Sequence, residues 1–159
     1  MAAKSYSLDY DGYWRAPNIS GLPASSGTYS VYACVHNVSE KTVTLRRLLY
    51  IGEAENVRSR ISNHERWDDW VRELKAGEEL CFNAALISPA ADRQRAEAAT
   101  IHHHKPPCNV EYVNAFPFDT TTVSTSGKNA KLDGYFTVYT MPASGGLSRA
   151  TLLGGSTRW

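Results

Sequence analysis

The sequence predicts an α+β fold: a small antiparallel sheet of three strands flanked by helices, with additional strands toward the C-terminus. Three observations predict it. Two β-branched and aromatic runs, residues 28–35 and 42–51, are separated only by the polar stretch Asn37-Val38-Ser39-Glu40-Lys41, the pattern of an antiparallel hairpin. Apolar side chains then recur at Val57, Ile61, Trp67, Val71 and Leu74, the 3.6-residue period of one helix face. A third apolar run, residues 80–87, leads through Ser88-Pro89 into an alanine-rich segment, so a strand is followed by a second helix with proline at its start.

Taken in order, residues 1–26 are rich in Tyr, Ser, Gly and Pro and read as an N-terminal arm, held to the domain by Tyr10, Tyr13 and Trp14. The first strand begins after Gly27 and the second is stopped by Gly52. Asn56 is placed to cap a helix that Gly77 closes. The second helix runs to about His104, where Lys105-Pro106-Pro107 ends it, because proline lacks the amide and disfavours a helical predecessor. Residues 27–112 form the core on this reading. Residues 113–142 are an extension with strands near 120–125 and 135–140 around Ser126-Gly127-Lys128-Asn129. Residues 143–159, with 4 Gly and 3 Ser, read as a flexible tail.

Composition narrows the classes. The 159 residues suit one domain, and a hydrophobic share of 42% argues against wholesale disorder. A net charge of +1 advertises neither a nucleic-acid coat nor a membrane-surface protein, although residues 41–75 carry 8 basic against 6 acidic side chains. Cys34, Cys81 and Cys108 are an odd number without a CxxC spacing, which suggests reduced thiols rather than a disulfide framework or zinc knuckle. No secretory leader or membrane-length apolar run is present, and a cytoplasmic protein with no membrane partner is expected. His102-His103-His104 invites a metal reading, yet consecutive helical residues point about 100° apart and cannot all face one ion. A solvated helix end is the expectation there.

Several polar residues fall where this order of elements lets them meet. Tyr29 lies within the first strand and Tyr50 near the end of the second. Arg60 and His64, four apart, share one side of the first helix. Glu97 sits among Ala96, Ala98 and Ala99, and Asn109 follows the Pro-Pro stop. Singly, each has an ordinary role: strand aromatic, core histidine, surface charge.

Together they resemble the GIY-YIG nucleases. Gly27-Thr28-Tyr29 and Tyr50-Ile51-Gly52 are similar to the two signature tripeptides. Asn56-Val57-Arg58-Ser59-Arg60 with His64 resembles the family's first helix, and Glu97 with Lys105-Pro106-Pro107-Cys108-Asn109 its glutamate helix and closing segment. The resemblance covers residues 25–112, with 10 residues from Tyr50 to Arg60 and 12 from Glu97 to Asn109. Two departures stand out. Tyr29 and Tyr50 are 21 residues apart, which implies an extended hairpin, and Glu53 stands where the family often has lysine.

The resemblance implies a divalent-metal-dependent DNA endonuclease, a small restriction-type or mobile-element enzyme, using Mg²⁺ or Mn²⁺ held by Glu97. It also implies catalytic duties for Tyr29, Tyr50, Arg60, His64, Glu97 and Asn109. Magnesium needs only one or two protein carboxylates. Arginine suits developing phosphoryl charge, and a tyrosine or histidine would orient or deprotonate water. Double-strand cutting with one site per chain would call for a homodimer or two sequential nicks. The alternatives are a non-catalytic nucleic-acid-binding domain of the same fold and a nuclease acting on single strands or RNA.

Overall fold

A computed structural model of the chain describes residues 2–143. Its elements are β1 (Lys4–Arg15), a 3-10 turn (Ala16–Gly21), β2 (Gly27–Asn37), β3 (Thr42–Ala54), α1 (Val57–Ser62), α2 (Trp67–Arg72), β4 (Glu79–Leu86), α3 (Ala90–His104), β5 (Thr121–Gly127) and β6 (Tyr135–Val138). They build one six-stranded sheet in the order β3-β2-β4-β1-β5-β6. β1 runs parallel to β5, and every other neighbouring pair is antiparallel. The sheet curls into a half-barrel, with 40% of residues in strands and 23% in helices.

This corrects the expected three-stranded sheet flanked by helices. The difference begins at the N-terminus, where the expected arm contains an interior strand. Leu8 and Tyr10 are buried while Ser7, Asp9 and Asp11 face solvent, the alternation of a strand with one covered face. β1 bonds to β4 through pairs such as Tyr10↔Ala85, and to β5 along Lys4↔Thr121 through Tyr10↔Gly127. It thereby joins the β3-β2-β4 unit to the C-terminal strands in one sheet.

The first predicted helix is also corrected, because it is two helices of six residues each. Asn63 leaves the helical region at φ −130°, ψ 35°. Its amide donates to the Ser59 carbonyl, and the His64 ring accepts the Arg66 amide at 3.0 Å. Such side-chain bonds to the local backbone compete with the helical ladder. His64 therefore lies beyond α1 rather than beside Arg60 on one helix.

The sheet separates two apolar layers. One face carries Tyr29, Val31, Leu49, Phe82 and Ala84 against Val57, Ile61 and Trp70 of α1 and α2. The other carries Leu8, Tyr10, Ile51 and Ala85 against Ala96, Ala99 and Ile101 of α3, continuing to Phe116 and Phe136. The small side chains of α3 let it lie close to the strands. Residues 144–159 of the predicted tail lie outside the described residues. Cys34 and Cys81 are buried and all three cysteines are free thiols. No helix among the described residues is long and apolar enough to cross a membrane.

Candidate active site

The two glycine-bearing tripeptides meet where β2 and β3 pair, with Tyr29 opposite Gly52 and Gly27 opposite Ala54. A Cβ at Gly52 would lie 2.4 Å from both Cζ and the hydroxyl of Tyr29, and one at Gly27 would lie 2.4 Å from the Ala85 carbonyl oxygen. Both positions are small because something already fills the space. At Gly52 it is the Tyr29 phenol, which passes across the β3 backbone.

Tyr50 belongs to a cluster of rings on the α1/α2 face. Its ring centre lies 5.3 Å from His64, 5.3 Å from Trp70 and 6.4 Å from Tyr29. The His64 side chain is fully buried. Because its Nδ1 accepts the Arg66 amide, the ring proton sits on Nε2, which has no hydrogen-bond partner. Burial, reinforced by Arg60, pushes the imidazole down to about 4, so His64 is neutral at physiological pH. This geometry suits packing and donation, not the acceptance of a tyrosine proton.

Asn109 clips the outer edge of β3. Its Oδ1 accepts the Ile51 amide and its Nδ2 donates to the Ile51 carbonyl, both at 2.9 Å, while the Cys108 amide donates to Leu49. The segment after the Pro-Pro stop thus takes up the hydrogen bonds of an edge strand and fixes the backbone on both sides of Tyr50.

Arg60 and Glu97 approach Tyr50 from two helices. Asn56 caps α1, its Oδ1 accepting the Ser59 amide at 3.1 Å, and the helix ends with Arg60 projecting into a cleft of about 260 Å³. Tyr50, Glu97, Asn109, Glu65, Arg66 and Glu111 also line that cleft. Arg60 is engaged there by Glu65, in paired bonds of 2.6 and 2.8 Å. The guanidinium holds the Glu65 carboxyl down at about 2.

Glu97 makes no hydrogen bond or ion pair among the described residues. Burial, then the nearby charges of Glu53 and Glu111, raise its carboxyl to about 8, against the pull of Arg93 and Arg60. Burial and Glu97 together push the Tyr50 phenol to about 12, with Arg60 and Arg66 opposing. Burial carries Tyr29 well above its ordinary value as well. Neither tyrosine ionises near neutrality.

Of the six predicted residues, Tyr50, Arg60, Glu97 and Asn109 line one cleft, and Tyr29 and His64 form its buried backing. Glu65, Arg66 and Glu111 were not singled out from the sequence, nor was Arg93, which pairs with Glu53 and donates to Ser26 Oγ. Arg93 stands four residues before Glu97, one helical turn away on the same side. That spacing was the readable signal. It also gives Glu53 a structural duty, as the counter-ion of a nearly buried arginine.

The histidine triplet is an exposed to half-buried helix end, but its rings are engaged rather than free in solvent. His102 Nδ1 donates to the Tyr112 carbonyl, His103 bonds Asp133 Oδ2 at 2.6 Å, and His104 spans the Thr100 carbonyl and the Asp133 amide. His103 also stacks on Phe136 at 4.3 Å. The polar ligand atoms of His103, His104 and Asp133 lie within 4.8 Å of one another. Both ring nitrogens of His104 are nevertheless spent on backbone groups, so the triplet fastens residues 112–136 to α3.

The chain matches no family model, no characterised protein and no solved structure.

Proposed function

We propose that this protein is a divalent-metal-dependent endonuclease that hydrolyses phosphodiester bonds in DNA, with GIY-YIG-type site residues. The supporting observation is the convergence of Tyr50, Arg60 and an unpartnered Glu97 carboxylate on one cleft, from β3, α1 and α3. A carboxyl group held in a buried site beside two others, with no partner of its own, suits a cation, whose binding would release its proton. Glu97 would hold Mg²⁺ or Mn²⁺, which when bound supplies Lewis-acid polarisation of the phosphoryl oxygen and screens the leaving group.

Arg60 binds non-bridging phosphate oxygens through the paired donors now engaged by Glu65, since phosphate and carboxylate present similar forks of acceptors. Substrate thus exchanges one anion for another on a side chain already in position. Tyr50, protonated at neutral pH, orients the attacking water through its hydroxyl. Tyr29, His64 and Trp70 hold the Tyr50 ring, and Asn109 holds its strand.

The test is a panel of supercoiled plasmid, single-stranded DNA and RNA, each incubated with wild-type protein in Mg²⁺ and in EDTA. Metal-dependent conversion of the plasmid is the expected result. Cleavage of RNA or single strands alone would replace the substrate class, and no cleavage of any member would overturn the assignment.

A further inference from the structure

The extended β2–β3 hairpin, left unexplained by the active site, walls a second groove of about 530 Å³ at its far end. Lys41, Thr42 and His36 come from the hairpin, Tyr13 and Arg15 from the end of β1, and Lys128 from the turn after β5. None of the described residues that line the groove is acidic. Arg15 is paired with Glu79, but Lys41 and Lys128 have no ion-pair or hydrogen-bond partner for their ammonium groups among the described residues.

The positions of these lysines are set by the backbone. Lys41 occupies the left-handed region at φ 57°, closing the turn through its amide bond to Val38. The Lys128 amide donates to the Tyr10 carbonyl, and its own carbonyl accepts Nδ2 of the buried Asn83 at 2.8 Å. Two lysines whose ammonium groups have no partner among the described residues thus border one groove whose described lining residues include no acid, beside a tyrosine ring and a histidine. Between groove and cleft, Arg46 is exposed on β3.

From Lys41 to Tyr50, β3 spans about 25–30 Å at about 3.3 Å per residue. A nucleic-acid strand advances about 3.4 Å per nucleotide, so the separation corresponds to about eight nucleotide steps. We infer that this groove is a second substrate-binding site, in which Lys41 and Lys128 contact the phosphodiester backbone of nucleic acid flanking the bond placed in the Tyr50–Glu97 cleft. The inference rests on the nuclease reading for its ligand and on the free lysines for its place.

The test uses full-length protein in EDTA, so that cleavage is silent, with fluorescence anisotropy of a labelled 20-base-pair duplex over a range of salt concentrations. Each phosphate contact contributes about 0.9 to the slope of log affinity against log salt. Replacing Lys41→Gln and Lys128→Gln together should therefore weaken binding and flatten that slope by about 1.8. The Lys41→Arg, Lys128→Arg pair should retain it. Thr42→Glu, which keeps both lysines but places an anion in the groove, should weaken binding on its own. Unchanged affinity and slope in the Gln pair and in Thr42→Glu, with wild-type protein still bound, would overturn the groove and leave the nuclease reading intact. Failure of the wild type to bind duplex, single strand or RNA would overturn both.

Discussion

Replacing Glu97→Gln should stabilise this protein and abolish the nuclease activity proposed for it. Burial and the Glu53 and Glu111 charges raise the Glu97 carboxyl from 4.5 to about 8. The folded state therefore holds this proton more tightly than the unfolded chain. Stability contributed by the group is complete below pH 4.5 and is lost as pH rises through about 8. At about 1.4 kcal/mol per pH unit, the shift makes the ionised side chain cost roughly 3–5 kcal/mol above pH 8. Glutamine has the same shape and carries no charge, so it escapes that cost. Urea unfolding in EDTA at pH 5 and pH 9 measures the difference: the two proteins should be nearly equal at pH 5, and the variant clearly more stable at pH 9. Mg²⁺ at pH 8 should raise the stability of the wild type and not of the variant, because a ligand that binds only the folded state stabilises by mass action. A variant less stable than wild type at pH 9 would refute the electrostatic account of this carboxylate.

Other consequences concern its neighbours. Asn109→Ala removes both bonds to the Ile51 backbone and should cost about 1–3 kcal/mol, with faster hydrogen exchange at the Ile51 amide than at central β2 amides. His64, with the Arg66 amide on Nδ1, should show an Nε2–H neutral ring by nitrogen NMR that stays neutral down to about pH 5, consistent with its depression to about 4. Accordingly, no activity limb near pH 6.5 should disappear in His64→Phe. Glu65→Gln releases Arg60 from its competing anion and should tighten duplex binding in EDTA about 2–5-fold, the worth of an exposed ion pair.

Much of the chain's local structure was legible because local chemistry agreed with the tertiary environment. β2, β3 and β4 are β-branched, aromatic or continuously apolar, and α3 starts after Pro89 and stops at Lys105 close to where the prolines require. β1 was not legible as a sheet strand. Its apolar period rests on Tyr6, Leu8 and Tyr10 alone, set among Ser and Asp residues that face solvent. Its partners, β4 and β5, lie 60 and more residues away, and no local pattern announces a parallel pairing at that distance. The break at His64 escaped for a different reason: Trp67, Val71 and Leu74 keep the helical period in register across it, while the side chains of Asn63 and His64 divert the backbone.

The site divides along similar lines. The motif resemblance pointed to Tyr29, Tyr50, Arg60, His64, Glu97 and Asn109, of which Tyr50, Arg60, Glu97 and Asn109 line the cleft. It could not reveal that Asn109 grips the strand rather than a ligand, or that Glu65 lies on Arg60, since both depend on where a loop folds back. The extended hairpin was visible as a count of residues between Tyr29 and Tyr50. What it borders became apparent only when β1 and the turn at Lys128 were placed beside its tip.

The proposed roles of Arg60 and Glu97 are tested by the rate at which supercoiled plasmid is nicked or linearised in Mg²⁺ by wild type, Arg60→Ala and Glu97→Gln, all confirmed folded by their urea transitions. Conversion by the wild type that EDTA abolishes is expected, with a loss of about 100-fold or more in each variant, the scale seen when a transition-state contact is removed. Wild-type rates retained by a folded Glu97→Gln protein would contradict the role proposed for Glu97.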